Sequence, residues 1–260
     1  SVVTTYRDHG HMIARGLDPK RIMAELTGRE DGYSAGKGGS MHMFSKENNF
    51  YGGHGIVGAQ VPIGTGIAFT HKYNGEKNIC RTYIGDGAMN NGQVFEAFNL
   101  AALWKLPVLY IIENNKYGMG TSVDRAAAGL DLYKRGEAFG IPGEKVDGMN
   151  VFSVIEAADK AGKYVREGNG PYIIEVQTYR YRGHSMSDPA KYRTKEELDN
   201  YKQTDPIEIV KAEILKKKIA TNDEIEKINK DTLEEIKNAA EFATNSPFPK
   251  DSELYTDVYL

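Results

Sequence analysis

Asp86 and Asn115 carry most of the chemical information in this 260-residue chain. Each comes closely after a short apolar run, Ile79–Ile84 for the first and Val108–Ile112 for the second. A carboxylate and a carboxamide oxygen are hard donors. They suit a hard cation such as Mg²⁺, which takes oxygen ligands in near-octahedral geometry and usually shares them with phosphates. Asp86 is flanked by Gly85 and Gly87, and glycine lets the main chain approach a bulky ligand closely. A helix starting near Asn91 would offer its N-terminus to negative charge. Together these residues predict a diphosphate–Mg²⁺ site. Gly-Asp-Gly alone is weak evidence, because Asp-Gly is commonly a hairpin turn. Here, however, a helical pattern follows it rather than a second strand.

The elements around these residues explain how they could converge. The run Ile79–Ile84 precedes a helical pattern over Val94–Trp104, which ends near Pro107, and Val108–Ile112 follows as a second buried strand. Strand, helix and strand in that order form a parallel unit with a right-handed crossover. Such strands lie side by side or one apart, and ligands of open parallel sheets bind outside their carboxyl ends. Further strands are expected at Lys145–Val146 and Tyr172–Gln177, with a helix over 151–167 between them. This alternation implies an α/β layered fold. Val2–Thr5 is strand-like, 11–28 reads as a helix interrupted near Gly16–Pro19, and 59–73 reads as a small-residue helix. Residues 29–58 are glycine-rich and irregular, and a loop that long is usually functional. From about Asp205 the composition turns to Lys, Glu and Ile. Thr221 with Glu224 fits a capping box, opening a helix marked by Ile225, Ile228, Ile236, Ala239 and Ala243. We expect one domain over 1–260, with 205–260 as a helical extension.

Composition narrows the classes. Apolar residues make up 40% and charged residues 27%, and the net charge is −3. That balance argues for a soluble globular chain and against binding to nucleic acid or an anionic membrane. Cys80 is the only cysteine, which excludes an internal disulfide framework and a Cys-cluster zinc site. No apolar run approaches a membrane span. No Gly-x-Gly-x-x-Gly stands between a strand and a helix, so a nicotinamide-binding reading lacks support. The start has no initiator Met and reads as the middle of a longer protein.

Gly85-Asp86-Gly87, a helix, a buried strand and Asn114-Asn115 follow one another over about thirty residues, and this run matches the thiamine diphosphate fingerprint. With Tyr6–Gly10, Gly36–Met43, Tyr51–Gln60, Tyr117–Ser122 and Tyr179–Pro189, it makes the chain closely resemble the alpha subunits of the first, decarboxylating component of pyruvate dehydrogenase complexes. The resemblance runs along essentially the whole chain. It implies a three-layer α/β/α thiamine diphosphate-binding fold with a mostly parallel sheet and a helical C-terminal region. By resemblance, Asp86, Asn115 and the carbonyl of Tyr117 hold Mg²⁺. Gly87 and Ala88 match the diphosphate-contacting backbone, and Tyr6 and Arg7 match a pair that reaches the diphosphate. Gly55 and Val57 match the segment against the aminopyrimidine, and Met119 the side chain supporting the bent cofactor. Arg180 and His184 match phosphate-side and substrate-side groups, with His184 as the catalytic residue.

The resemblance further implies oxidative decarboxylation of pyruvate, with transfer of the two-carbon unit to a lipoyl domain of the acetyltransferase component. The partner is a beta subunit, in a heterotetramer of two alpha and two beta chains. Acetoin dehydrogenase and the branched-chain 2-oxo acid enzyme are sibling alternatives. A non-catalytic paralogue is disfavoured by the intact Asp86, Asn115, Arg7 and His184. Ser122 and Ser185 align with regulatory serines of mitochondrial relatives, whereas Lys191 stands where a third would precede Tyr192. Asn91 replaces a Gln of those relatives. The missing third serine leans toward a bacterial protein, and with the single Cys80 the expected compartment is the bacterial cytoplasm, with the mitochondrial matrix as the alternative.

Overall fold

The computed structural model describes residues 1–256 and 258. Five strands form a parallel sheet: β1 (Val2–Thr5), β3 (Cys80–Gly85), β4 (Val108–Asn114), β8 (Tyr172–Gln177) and β7 (Gly143–Asp147), in that spatial order. β2 (Phe50–His54) continues the order beyond β1. Central strands of a parallel sheet are covered on both faces, so they read as continuous apolar runs. β4 shows this directly. Leu109 and Ile111 face a core shared with Ala157, Ala161 and Val165 of helix α6 (Val151–Arg166). Tyr110 faces the other way, donating to or accepting from Thr65 Oγ1 at 2.7 Å and packing on the Phe98 ring. Thr65 lies on α3 (Gln60–Tyr73) and Phe98 on α4 (Gly92–Leu103). Helix, sheet and helix therefore make three layers, as expected. Gly64 lets α3 lie directly on β3, since a Cβ there would fall 2.0 Å from Thr82 Oγ1.

The chain divides into two compact units. The first holds Ser1–Val3 and Ile56–Ile219, and the second Thr4–Gly55 and Ala220–Leu260. The first also carries the small hairpin β5 (Tyr117–Gly118) and β6 (Thr121–Ser122), the short helix α5 (Val123–Ala126), α7 (Lys195–Lys202) and α8 (Pro206–Lys216).

In the second unit, α1 (His9–Ala14) and α2 (Pro19–Leu26) are separate helices, broken where Gly16 and Pro19 predict. Asp18 caps α2, accepting from Lys20 N at 2.9 Å. α2 packs against α9 (Asn222–Asn245), whose capping box is formed by Thr221 and Glu224. The stretch 29–58 corrects one expectation, because it is not wholly irregular: Phe50–His54 is β2. The glycine-rich part is ordered by a carboxylate that the sequence did not single out. Glu25, fully buried, accepts from the main-chain N–H groups of Ser34, Gly36, Gly38 and Gly39 at 2.7–3.0 Å. Among the described residues no helix is long and apolar enough to cross a membrane.

Candidate active site

β3 and β4 are immediate neighbours, with Gly85 opposite Glu113. The loops that follow them therefore leave the carboxyl edge of the sheet next to each other, and Asp86 and Asn115 stand on the two loops. The turns touch: a Cβ on Gly87 would lie 3.5 Å from the Cα of Gly118. A Cβ at either glycine would stand in ordinary van der Waals contact with the other, so the two loops run side by side at this edge.

Asp86 is buried, at 4% exposure. Burial raises its carboxyl above the usual range, while neighbouring main-chain N–H groups and the Arg180 charge pull it back. Asn115 turns its Oδ1 toward Tyr117 N at 3.3 Å. Asp86 opens one turn of 3₁₀ helix over Gly87–Asn90, and only then does α4 begin. The cap of α4 is Asn91, whose Oδ1 accepts from Gln93 N at 3.3 Å. Its Nδ2 donates to the carbonyl of Val57 at 3.0 Å. Gly58, at φ +89°, lets that carbonyl approach, since a Cβ there would crowd Asn91 and Gln93. Val57 is half exposed and Ala88 buried.

Tyr117 opens the hairpin whose two-residue turn is Met119-Gly120. Met119 holds φ +51° and is 64% exposed. A bulky residue at positive φ is uncommon, and such strain collects at functional sites. Arg180 pins this hairpin. Its guanidinium donates to the carbonyls of Tyr117 at 3.0 Å and Met119 at 2.6 Å, and to the hydroxyl of Tyr192 at 2.6 Å. The Tyr192 hydroxyl in turn donates to Asp188 at 2.8 Å. Asp188 also accepts from the main-chain N–H groups of His184 at 2.6 Å and Ala190 at 2.8 Å. Those main-chain N–H groups, with the Tyr192 hydroxyl, bring its carboxyl down to about 2. Arg180 and His184 are thus joined through Tyr192 and Asp188. Ser185, beside His184, is exposed, and its Oγ lies 3.1 Å from that of Ser187. The Tyr117 hydroxyl donates to Glu197, and burial with that carboxylate pushes the phenol up to about 12.

Tyr6, Arg7 and Gly55 belong to the second unit. Arg7 is exposed, and its main-chain N–H donates to Thr5 Oγ1 at 3.2 Å. Gly55 lies close to the His42 imidazole, 3.1 Å from where a Cβ would stand. Sequence reasoning missed Asp188, Tyr192, Glu25 and Glu175. Only Asp188 carried a signal, as an acid four residues after His184 in a loop.

The donor set at the β3–β4 edge is all oxygen: a desolvated carboxylate, a carboxamide and a main-chain carbonyl. That chemistry fits Mg²⁺. Among the described residues no group of three or more His, Cys, Asp or Glu side chains could hold a metal ion.

Fold and loops together define a class, an α/β protein whose buried Asp86 and neighbouring Asn115 stand on adjoining loops at the carboxyl edge of a parallel sheet. The chain belongs to the dehydrogenase E1 component family, which it matches over residues 1–252. It is 59% identical over 259 residues to a pyruvate dehydrogenase E1 component subunit alpha of Rickettsia felis, covering 100% of this chain and 79% of the relative. A subunit alpha of Rhizobium meliloti is 59% identical over 260 residues, covering 100% and 75%. A mitochondrial one of Dictyostelium discoideum is 56% identical over 261 residues, covering 100% and 68%.

Proposed function

We propose that this chain is the alpha subunit of a thiamine diphosphate- and Mg²⁺-dependent enzyme that oxidatively decarboxylates pyruvate. The acetyl group passes to a lipoyl group on the acetyltransferase component, and the beta subunit completes a heterotetramer of two alpha and two beta chains. The bacterial cytoplasm is the compartment we assign. One observation carries the reading: the register of β3 against β4 sets Asp86 and Asn115 on adjoining loops, in a chain 59% identical to such subunits.

Each residue then has a part. Asp86, Asn115 and the carbonyl of Tyr117 would hold Mg²⁺. The main chain at Gly87 and Ala88 would meet the diphosphate, with Tyr6 and Arg7 reaching it as well. Gly55 and Val57 would line the aminopyrimidine, and Met119 would support the bend between the rings. Bound thiamine diphosphate supplies the electron sink that takes the electron pair as carbon dioxide leaves. Arg180 holds the Tyr117–Met119 hairpin in place. The short bond from Asp188 to the His184 main chain fixes where the imidazole starts, so that His184 can serve the substrate side. Phosphate on Ser185 would add negative charge beside His184.

Steady-state turnover by the chain assembled with its beta subunit, on pyruvate, 2-oxoisovalerate and acetoin, tests the substrate. Pyruvate should be preferred. A clear preference for either of the others would assign the chain to a sibling enzyme.

A further inference from the structure

Glu175 is fully buried in β8, where it lies opposite Ile112 of β4 in register. Its carboxylate accepts three hydrogen bonds, from Asn114 Nδ2 at 2.8 Å, Gln177 Nε2 at 2.5 Å and the main-chain N–H of Tyr133 at 3.1 Å. An ionised carboxylate only accepts, so it dictates how both carboxamides turn. Asn114 gives its NH₂ to Glu175 and must aim Oδ1 elsewhere. That oxygen accepts from the main-chain N–H of Lys116 at 3.2 Å. Gln177 likewise gives its NH₂ to Glu175, and its Oε1 accepts from Lys116 Nζ. Lys116 is therefore held at both ends by a ring that closes on Glu175. It needs holding, because it stands at φ +76°, in the left-handed region. Lys116 is also the one residue between Asn115 and Tyr117.

We infer that Glu175 is a positioning residue for the metal turn: acting through Asn114, Gln177 and Lys116, it sets where the oxygens of Asn115 and Tyr117 stand. This rests on the Mg²⁺ and cofactor reading above. Partners behind the ligands of metal sites commonly tune metal affinity in this way.

The test is a Mg²⁺ titration of thiamine diphosphate binding, read by calorimetry on the full chain assembled with its beta subunit. Wild type is compared with Glu175→Gln, Gln177→Ala and Asp86→Ala. A glutamine at 175 must turn its NH₂ either on Asn114 and Gln177, which opens the ring, or on the main-chain N–H of Tyr133, which unseats the side chain that the ring closes on. Glu175→Gln is expected to raise the Mg²⁺ concentration at half-saturation by about tenfold or more, with the number of cofactors bound at saturating Mg²⁺ unchanged. A merely structural defect would do the reverse, lowering the number of competent sites without moving the midpoint.

Gln177→Ala, at the partly exposed end of β8, leaves the Glu175 side chain in place. It is expected to shift the midpoint in the same direction by a smaller factor, and it decides alone if Glu175→Gln does not fold. Unmoved midpoints overturn the inference. Asp86→Ala separates the two levels. If it abolishes Mg²⁺-dependent binding while the Glu175 and Gln177 midpoints stay put, only the positioning role falls. If it leaves that binding intact, the metal reading itself falls.

Discussion

The guanidinium of Arg180 donates to the carbonyl oxygen of Tyr117 across 3.0 Å, from a buried position at 7% exposure. The same fork reaches the Met119 carbonyl and the Tyr192 hydroxyl. Lysine keeps the charge but loses the planar fork. Arg180→Lys should therefore cost roughly 2–3 kcal/mol of stability and weaken cofactor binding at limiting Mg²⁺. Denaturant unfolding together with a binding titration checks both. If charge alone mattered, the lysine variant would match wild type in the two assays.

Glu25 gathers four main-chain N–H groups of the glycine-rich stretch onto one buried carboxylate. A carboxamide offers one oxygen and turns its NH₂ against the remaining donors. Glu25→Gln should destabilise the fold by about 2–4 kcal/mol, the scale of unpaired buried donors. Limited proteolysis should then cut first within 32–44. A variant with wild-type stability and an unchanged cleavage pattern would show that these bonds contribute little.

Asp8 is buried against Gly53, with His9 Nε2 3.7 Å from its carboxylate. Burial pushes its carboxyl up to about 6. Below pH 4 the group is protonated folded and unfolded alike, so it makes no difference to stability. As pH rises through 6 the folded protein must ionise a desolvated acid, and the stability present at low pH is lost. Asp8→Asn removes that cost. It should stabilise the protein by roughly 1–2 kcal/mol at pH 8, after discounting for residual solvent screening, with the gain fading toward pH 4. Thermal melts across that range would contradict this if the gain were flat with pH or reversed.

Much of this was legible in the sequence. The apolar runs at Ile79–Ile84 and Val108–Ile112 and the small-residue helix over 59–73 correspond to β3, β4 and α3, because buried parallel strands and their covering helices leave strong patterns. Thr221 and Glu224 announced the start of α9 for the same reason: a cap is a local interaction between neighbours in sequence. What escaped was long-range or mixed in signal. β2 is Phe-Tyr-Gly-Gly-His, and two glycines in five residues hide a strand. Glu25 and Glu175 carry no local signal, because their partners, Gln177 apart, lie nine or more residues away in sequence. For Arg180, the resemblance pointed to phosphate. The structure adds its grip on the Tyr117–Met119 hairpin, which no spacing rule exposes.

The most direct measurement is calorimetric binding of thiamine diphosphate, with Mg²⁺ and the beta subunit present, to wild type and Asp86→Ala. Asp86 supplies the only carboxylate of the proposed metal shell. The substitution should abolish Mg²⁺-dependent binding while leaving the assembly intact. Wild-type affinity in Asp86→Ala would contradict the assignment of the β3–β4 edge as the cofactor site.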